Sequence, residues 1–181
     1  MKFNRKKLCH LLLAILLTAG ASWAESPFVG RRADALDSAL WAKSQWISAH
    51  DAPIITQKIA DNNERAADGA SWFVTNIKNH KELSSIKWMT SGLGVYNLYI
   101  NGKPVGEEIL KPGFTHYDKT KLSFTYDLTD AVSKNKDAEN SFAAQLTPGW
   151  WADKIITPRG SEGMNGKKVA FRSVIELTYT D

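Results

Sequence analysis

Apolar and polar residues alternate with a period of two along most of the chain. Such alternation predicts strands with one buried and one exposed face, and it places Trp72 and Trp88 in the core. No long stretch after residue 24 has the 3.6-residue period of an amphipathic helix. Seven or so strands between polar turns predict an all-β fold, an antiparallel β-sandwich. The alternating segments are 55–59, 72–77, 86–90, 96–100, 122–126, 142–146 and 169–179.

One short stretch, residues 96–106, predicts a β-hairpin. Tyr96, Leu98 and Ile100 fall on one face of its first strand, which suits a sandwich core. Asn101-Gly102 follows, and this dipeptide is typical of a type I′ turn because both central residues need a positive φ. The tyrosines and asparagines of the stretch also fit a sugar-facing edge, but we favour the hairpin role.

The first 24 residues have the three parts of a secretory signal peptide. A basic start precedes the apolar run 8–17, and the small residues Ser22 and Ala24 suit cleavage after Ala24. The run is too short to span a bilayer comfortably, and a buried core helix is the alternative interpretation. We therefore predict an exported protein, periplasmic or secreted, with no membrane span after signal removal.

Removal of this segment changes the charge of the chain. Four of the 23 basic residues lie in it, and the remaining 19 balance 19 acidic residues, so the predicted mature chain has no net charge. A neutral chain offers no basic patch for nucleic acid or an anionic membrane. The single cysteine, Cys9, lies in the same segment, so neither a disulfide nor thiol chemistry is predicted.

The rest of the chain fits one domain. Residues 25–40 are polar and small, and they predict an N-terminal segment with room for one short helix around 33–40. Residues 41–181 carry the strand patterns of the domain. The sequence stops at Thr180-Asp181, directly after the best strand pattern, where a turn and a return strand are usual. We therefore expect this to be the front part of a longer protein, although natural domains can also end on a strand.

The sequence contains no catalytic constellation that we can identify. Hydrolysis of a glycosidic bond needs two facing carboxylates, whereas most acidic residues here, Glu107 and Glu108 among them, resemble solvated turns. His50, His80 and His116 have no partner at a metal-ligand spacing, which argues against zinc. A GxSxG elbow, a Walker loop and a dinucleotide fingerprint are also missing. The chain alone is therefore not predicted to be an enzyme.

Aromatic residues are the stronger functional signal. Trp150 and Trp151 begin a long predicted loop, and adjacent residues of an extended chain point to opposite sides. One indole can then be buried while the other stacks on a sugar ring, with Asp153 or Arg159 holding the hydroxyls. The alternative is that both rings only close the end of the sandwich.

Four segments occur in a distinctive order: GVYNLYINGKPVG from Gly94, LKPGFTHY from Leu110, FTYDLT from Phe124 and PGWW from Pro148. Each is a weak motif alone, but in this order and spacing they resemble the N-terminal domain of bacterial α-L-rhamnosidases. WAKSQWI from Trp41 is similar to the segment that lies upstream in that family, so the resemblance covers about residues 41–181. The family more often has G-x-G-W where this chain has TPGW, which leaves the conformation of that loop open.

The resemblance implies a jelly-roll, galactose-binding-like β-sandwich that helps to recognise rhamnose-containing glycans. It also implies that the catalytic carboxylates belong to a downstream (α/α)6 barrel outside this sequence, so a glycosidase catalytic domain is an expected partner. Some members hold calcium at the sugar site, which makes calcium the one candidate cofactor. Asp61, Asn62 and Asp153 are oxygen-rich loop positions, but no motif assigns the calcium ligands.

Three hypotheses follow from these observations. The first is an exported accessory domain that recognises rhamnose-containing glycans and has no catalytic site of its own. The second is a structural domain that binds no ligand and packs against a glycosidase barrel through exposed aromatic residues. The third is a truncated rhamnosidase, which would need carboxylates that the sequence does not reveal.

Overall fold

The computed structural model describes residues 26–49, 70–152, 165–166 and 168–181. The predicted signal peptide and the predicted strand at 55–59 lie outside these residues. The described residues form strands with two short helices, and the predicted all-β fold is confirmed. The elements are β1 (Arg31–Arg32), α1 (Ser38–Lys43), β2 (Ser71–Lys78), β3 (Leu83–Leu93), β4 (Val95–Ile100), β5 (Lys103–Pro104), β6 (Ser123–Asp127), β7 (Glu139–Thr147), α2 (Gly149–Ala152) and β8 (Ala170–Tyr179).

The strands form two antiparallel sheets, one with the order β1-β6-β3-β8 and the other with the order β2-β7-β4-β5. Aromatic side chains from the two sheets meet between them. Trp88 on β3 contacts Phe142 on β7 edge-on, with the ring centroids 5.4 Å apart. Tyr96 on β4 contacts Phe171 on β8 in the same way at 5.6 Å. The predicted antiparallel β-sandwich is therefore confirmed.

The inward faces that alternation predicted on β4 and β7 are also confirmed. Every second residue of these strands is buried, and each large apolar side chain among them contributes about 1.5–3 kcal/mol when fully removed from water. The buried positions are Tyr96, Leu98 and Ile100 on β4 and Phe142, Ala144 and Leu146 on β7.

The two tryptophans predicted to lie in the core occupy different environments. Trp88 is 2% exposed, and its indole N–H donates to Ser173 Oγ at 2.6 Å. Trp72 is 52% exposed on the outer face of β2, so the prediction is wrong for this residue. The register of β2 against β7 buries Ser71 and packs Phe73 against the core, and the pleat then turns Trp72 outward.

The predicted hairpin turn is confirmed. Asn101 and Gly102 have φ values of 49° and 79°, and they connect β4 to β5 with Ile100 opposite Lys103. The Asn101 side chain also donates to Asn140 Oδ1 at 2.9 Å and accepts from the backbone N–H of Ser141 at 2.9 Å. This asparagine therefore ties the turn to β7.

Part of the predicted N-terminal segment, residues 25–40, contributes to the sandwich. β1 pairs with β6, which places Arg32 opposite Tyr126. The short helix occurs at Ser38–Lys43, slightly later than expected, because Asp37 is its N-cap and accepts from Ala39 N at 2.6 Å. No helix among the described residues is long and apolar enough to cross a membrane.

Candidate functional site

The two tryptophans predicted to bind sugar, Trp150 and Trp151, lie in a single helical turn. This turn, α2, follows β7 almost directly, and Trp151 N donates to Pro148 O at 3.2 Å. The extended chain assumed from the sequence is wrong here, because adjacent residues of a helix project about 100° apart rather than to opposite sides. The other two predicted residues, Asp153 and Arg159, lie outside the described residues.

Trp151 is engaged by the surrounding fold. Its indole N–H donates to Lys168 O at 2.8 Å, and its ring meets Tyr117 edge-on with 5.3 Å between centroids. A methyl group at Gly166 would overlap the same ring. The side chain also packs against the main hydrophobic core. Its polar atom and much of its ring are therefore already used to close this end of the sandwich.

Trp150, unlike Trp151, lies beside an exposed aromatic side chain, that of Phe114. Its ring meets Phe114 edge-on with 6.3 Å between centroids, and Phe114 is 60% exposed. The side-chain amide of Asn165 donates to the Trp150 carbonyl at 3.0 Å, so this amide supports the helical turn. Together Phe114, Tyr117, Trp150 and Trp151 form what we call the aromatic cluster.

A second region, which we call the cleft, lies where β1 and β6 meet the loop after β5. It has a volume of about 490 Å³, within the range of small-molecule sites. It combines aromatic walls with charged side chains of both signs. The lining residues are Phe28, Gly30, Arg31, Arg32, Gly106, Glu107, Glu108 and Tyr126.

Glu108 is the centre of a hydrogen-bonded network in the cleft. One carboxylate oxygen is 3.3 Å from the Arg32 guanidinium, and the other accepts from the Tyr126 hydroxyl at 2.8 Å. The Arg32 guanidinium in turn lies 3.9 Å from the centre of the Phe124 ring, a cation–π contact. These contacts hold Arg32 and Glu108 in a fixed arrangement at the surface.

Backbone geometry allows this close approach. Gly106 has a φ of 69°, a region that favours glycine. A methyl group at this position would overlap the Tyr126 ring and would lie 2.6 Å from Glu108 Oε2. The sequence therefore needs glycine immediately before the two glutamates.

A buried lysine, Lys111, holds the loop after β5 in place through hydrogen bonds to its backbone. The Lys111 side chain is almost fully buried, and its ammonium donates to Val105 O at 2.8 Å and more weakly to Gly106 O at 3.4 Å. Burial lowers the pKa of Lys111 below its usual value, although the nearby charge of Glu108 opposes this shift. The lysine thus fixes the backbone that carries Glu108.

The electrostatic environment keeps Glu108 ionised. Partial burial raises its pKa, but its own backbone N–H, the Tyr126 hydroxyl and the charges of Arg32 and Lys111 lower it more. The net pKa lies below the ordinary glutamate value. For Tyr126, burial and the hydrogen bond to Glu108 raise the pKa, so this hydroxyl stays protonated and donates.

The cleft offers the chemistry that recognises a neutral polyol. Arg32 presents N–H donors, Glu108 presents carboxylate acceptors, and a sugar hydroxyl can serve as either partner. Phe28, which is 39% exposed, adds an apolar surface for the ring of such a ligand.

In the sequence, the adjacent glutamates Glu107 and Glu108 resemble a solvated turn. Glu107 is exposed, but Glu108 is half-buried within the network described above. Arg32 and Glu108 are 76 positions apart, and no local pattern links them. The pairing of β1 with β6, together with the bridge between Val29 and Val105, brings the arginine to this site.

The candidate calcium positions Asp61, Asn62 and Asp153 lie outside the described residues. Within the described ranges, no group of three or more His, Cys, Asp or Glu side chains is arranged to hold a metal ion. The described side chains therefore supply no acidic calcium cage.

Comparison with known families identifies the domain. Residues 81–181, more than half of the chain, match the family model described as "Alpha-L-rhamnosidase N-terminal domain". The chain belongs to this family. The matched residues run from the turn before β3 to the end of β8, so they include the loop of Glu108 and the aromatic cluster.

Curated α-L-rhamnosidases are similar over much of the chain. The enzyme of Streptomyces avermitilis is 34% identical over 104 residues, which are 56% of this chain and 9% of the enzyme. The enzyme of Alteromonas sp. (strain LOR) is 26% identical over 140 residues, 77% of this chain and 14% of the enzyme. The chain therefore spans a small part of the length of these relatives.

Solved structures agree with the fold. The crystal structure of Streptomyces avermitilis α-L-rhamnosidase complexed with L-rhamnose matches with a TM-score of 0.56 and 31% identity, over 62% of this chain and 11% of that one. Native α-L-rhamnosidase from Aspergillus terreus matches with a TM-score of 0.59 and 23% identity, over 73% of this chain and 15% of that one. The second likeness concerns the fold alone.

Proposed function

We propose that this chain is an accessory domain of an α-L-rhamnosidase-like protein that recognises rhamnose-containing glycans and has no catalytic site of its own. The observation that carries the proposal is the cleft, in which Glu108 is held in place by Arg32 on one oxygen and by the Tyr126 hydroxyl on the other. Membership of the rhamnosidase N-terminal family supports the choice of sugar, and one similar enzyme was solved with L-rhamnose bound.

Each cleft residue has a separate role in this proposal. Glu108 accepts hydrogen bonds from two sugar hydroxyls, Arg32 donates to a third oxygen, and Phe28 contacts the apolar face of the ring. Trp150 beside Phe114 is the second candidate for stacking, with Asp153 and Arg159 as its polar partners. Trp151 assists it by holding the helical turn in place.

Titration calorimetry with L-rhamnose tests the proposal, in the presence and absence of calcium. Glu108→Gln should weaken binding about tenfold, because a charged hydrogen bond contributes roughly 1.5–3 kcal/mol. Glu139→Gln is the matched control, since Glu139 is an exposed glutamate on β7 that does not line the cleft, and it should bind like the wild type. The absence of heat at millimolar rhamnose in both conditions would exclude sugar recognition by this chain.

Export and the lack of hydrolysis are parts of the same proposal. We expect the mature protein to begin at Glu25, and N-terminal sequencing of protein from the periplasm or the medium checks this expectation. Protein that stays inside the cell with residues 1–24 still attached would contradict export. Release of the aryl group from an aryl rhamnoside by the purified chain would contradict a purely accessory role.

A second candidate function is to pack against a glycosidase catalytic domain without binding sugar. An exposed apolar surface near the aromatic cluster favours it: Ile109 is 81% exposed, and Leu110 and Phe114 are at least half exposed. Isolated chains should then self-associate, and Ile109→Ser with Phe114→Ser should suppress this in sedimentation velocity. A wild-type chain that stays monomeric at high concentration would count against a sticky interface.

A further inference from the structure

The outer face of the sheet β2-β7-β4 carries two aligned rows of uncharged side chains. In the first row Trp72, Gln145 and Asn97 lie side by side on the three strands. In the second row Val74 and Tyr99 flank Ala143. Their inward neighbours fill the core, so alternation turns all of these side chains away from it.

Trp72 and Tyr99 lean towards each other above the central strand. They stand on β2 and β4, which are two strand spacings apart, about 9–10 Å. Their ring centroids are nevertheless only 5.7 Å apart, with the planes inclined by 34°. The small side chain of Ala143 on β7 leaves room for this approach. The two rings therefore lie next to each other on this face, with their planes inclined.

Polar groups beside these rings are available to a ligand. The Asn97 amide donates to Gln145 Oε1 at 3.3 Å, which leaves a carbonyl oxygen on Asn97 and an N–H2 group on Gln145. In the described part of the chain, neither Trp72 Nε1 nor the Tyr99 hydroxyl has a hydrogen-bond partner. By contrast, the indole of Trp88 donates to Ser173. We call Trp72, Asn97, Tyr99 and Gln145 the platform.

Charge narrows the class of ligand. The next row along the sheet, Asn76 with Ser141, is also uncharged, and charged side chains begin only at Lys78 opposite Glu139. Such a long neutral face stands out in a chain in which 23% of residues are charged. A neutral face of rings and amides suits neutral sugars better than an acidic polymer or a charged protein surface.

We propose that the platform binds a neutral glycan chain, at a site separate from the cleft. The open face of a sheet with two adjacent rings can support successive sugar units of an extended polysaccharide, whereas a concave cleft accepts one or two units. Aromatic rings stack on the apolar faces of the sugars, and the amides of Asn97 and Gln145 bind their hydroxyls. The site extends the proposed function from recognition of rhamnose to attachment of the protein to its polymeric substrate.

Affinity electrophoresis of the whole chain tests this site. The protein is run in native gels containing a neutral β-glucan, a galactomannan or an arabinan, and separately in gels containing polygalacturonate. We expect retardation by at least one neutral polymer and a weakening of about tenfold in Trp72→Ala and in Tyr99→Ala. Tyr99→Phe keeps the ring and should retain most of the retardation.

Matched controls distinguish a loss of binding at the platform from a loss of binding in the cleft and from misfolding. Glu108→Gln should leave the retardation unchanged while weakening rhamnose binding, and Trp72→Ala should do the reverse. Circular dichroism and thermal unfolding verify that each variant is folded. The proposal is overturned if none of the neutral polymers retards the wild type, if folded Trp72→Ala and Tyr99→Ala are retarded as strongly as wild type, or if only polygalacturonate retards the protein. In those cases the two rings only stabilise the sheet or face another domain.

Discussion

The cleft and the platform differ in how their polar groups are satisfied. In the cleft, Glu108 is held by Arg32 and Tyr126, and Lys111 is bonded to the backbone beneath it. On the platform, Asn97 and Gln145 have one hydrogen bond between them, and the Trp72 indole faces solvent. One region is thus fixed by its own contacts, while the other presents free groups on a rigid sheet.

This difference predicts different tolerance to mutation. A preorganised site loses both stability and function when a single atom is misplaced, because each group positions another. A site built on the outside of a sheet can lose a ligand contact at little cost to folding, since the core below is unchanged. This difference between the cleft and the platform can therefore be tested by making the same chemical change in both regions.

The largest contrast is expected from adding one atom to each region. Gly106→Ala should lower the free energy of unfolding by about 2–3 kcal/mol, because the φ of 69° is strained for alanine and the methyl group overlaps Tyr126. Ala143→Ser adds one atom beneath the platform and should change it by less than about 0.5 kcal/mol. Urea unfolding measures both values. Equal effects would mean that the cleft is no more tightly constrained than the platform.

A smaller contrast is expected from removing one hydroxyl group in each region. Tyr126→Phe removes the 2.8 Å hydrogen bond to Glu108 and should cost about 1–2 kcal/mol, since the acceptor is charged and half-buried. Tyr99→Phe should cost less than about 0.5 kcal/mol, because no described residue pairs with that hydroxyl. Thermal unfolding of the two variants at pH 7 provides the comparison. A cost for Tyr99→Phe as large as for Tyr126→Phe would reveal a structural role for the platform hydroxyl.

The sequence predicts much of the fold because the strands follow simple alternation. β4 and its turn are the best case, since Tyr96, Leu98 and Ile100 share one parity and Asn101-Gly102 suits a positive φ. The prediction that Trp72 lies in the core is wrong for a physical reason. The segment 72–77 has apolar residues of both parities, so periodicity alone does not show which face is inward.

The candidate sites were less predictable because they depend on distant pairings. Arg32 reaches Glu108 through the pairing of β1 with β6 and through the bridge of Val29 to the loop after β5. The rings of Trp72 and Tyr99 meet across β7. The sequence identifies aromatic and charged residues but does not show which polar atoms the fold already uses. Trp151 illustrates this limit, since its indole N–H is bonded to Lys168 O.

The smallest expected effect is a difference in acid sensitivity. Because the folded-state pKa of Glu108 lies below the ordinary value of 4.5, its ionisation stabilises the fold above that pH. This contribution should disappear as the pH falls through the lower folded-state pKa. Its size should be a few tenths of a kcal/mol to about 1 kcal/mol, because solvent reaches the carboxylate and screens its contacts.

The measurement is the difference in unfolding free energy between wild type and Glu108→Gln from pH 7 down to pH 3. Wild type should be more stable at pH 7, and the two curves should converge below pH 4.5. Trp72→Ala should keep the acid dependence of the wild type, because the indole of Trp72 carries no ionisable group. Curves for wild type and Glu108→Gln that stay parallel over this range would show that the cleft contacts do not depend on the charge of Glu108, and the contrast between the two regions would then rest on packing alone.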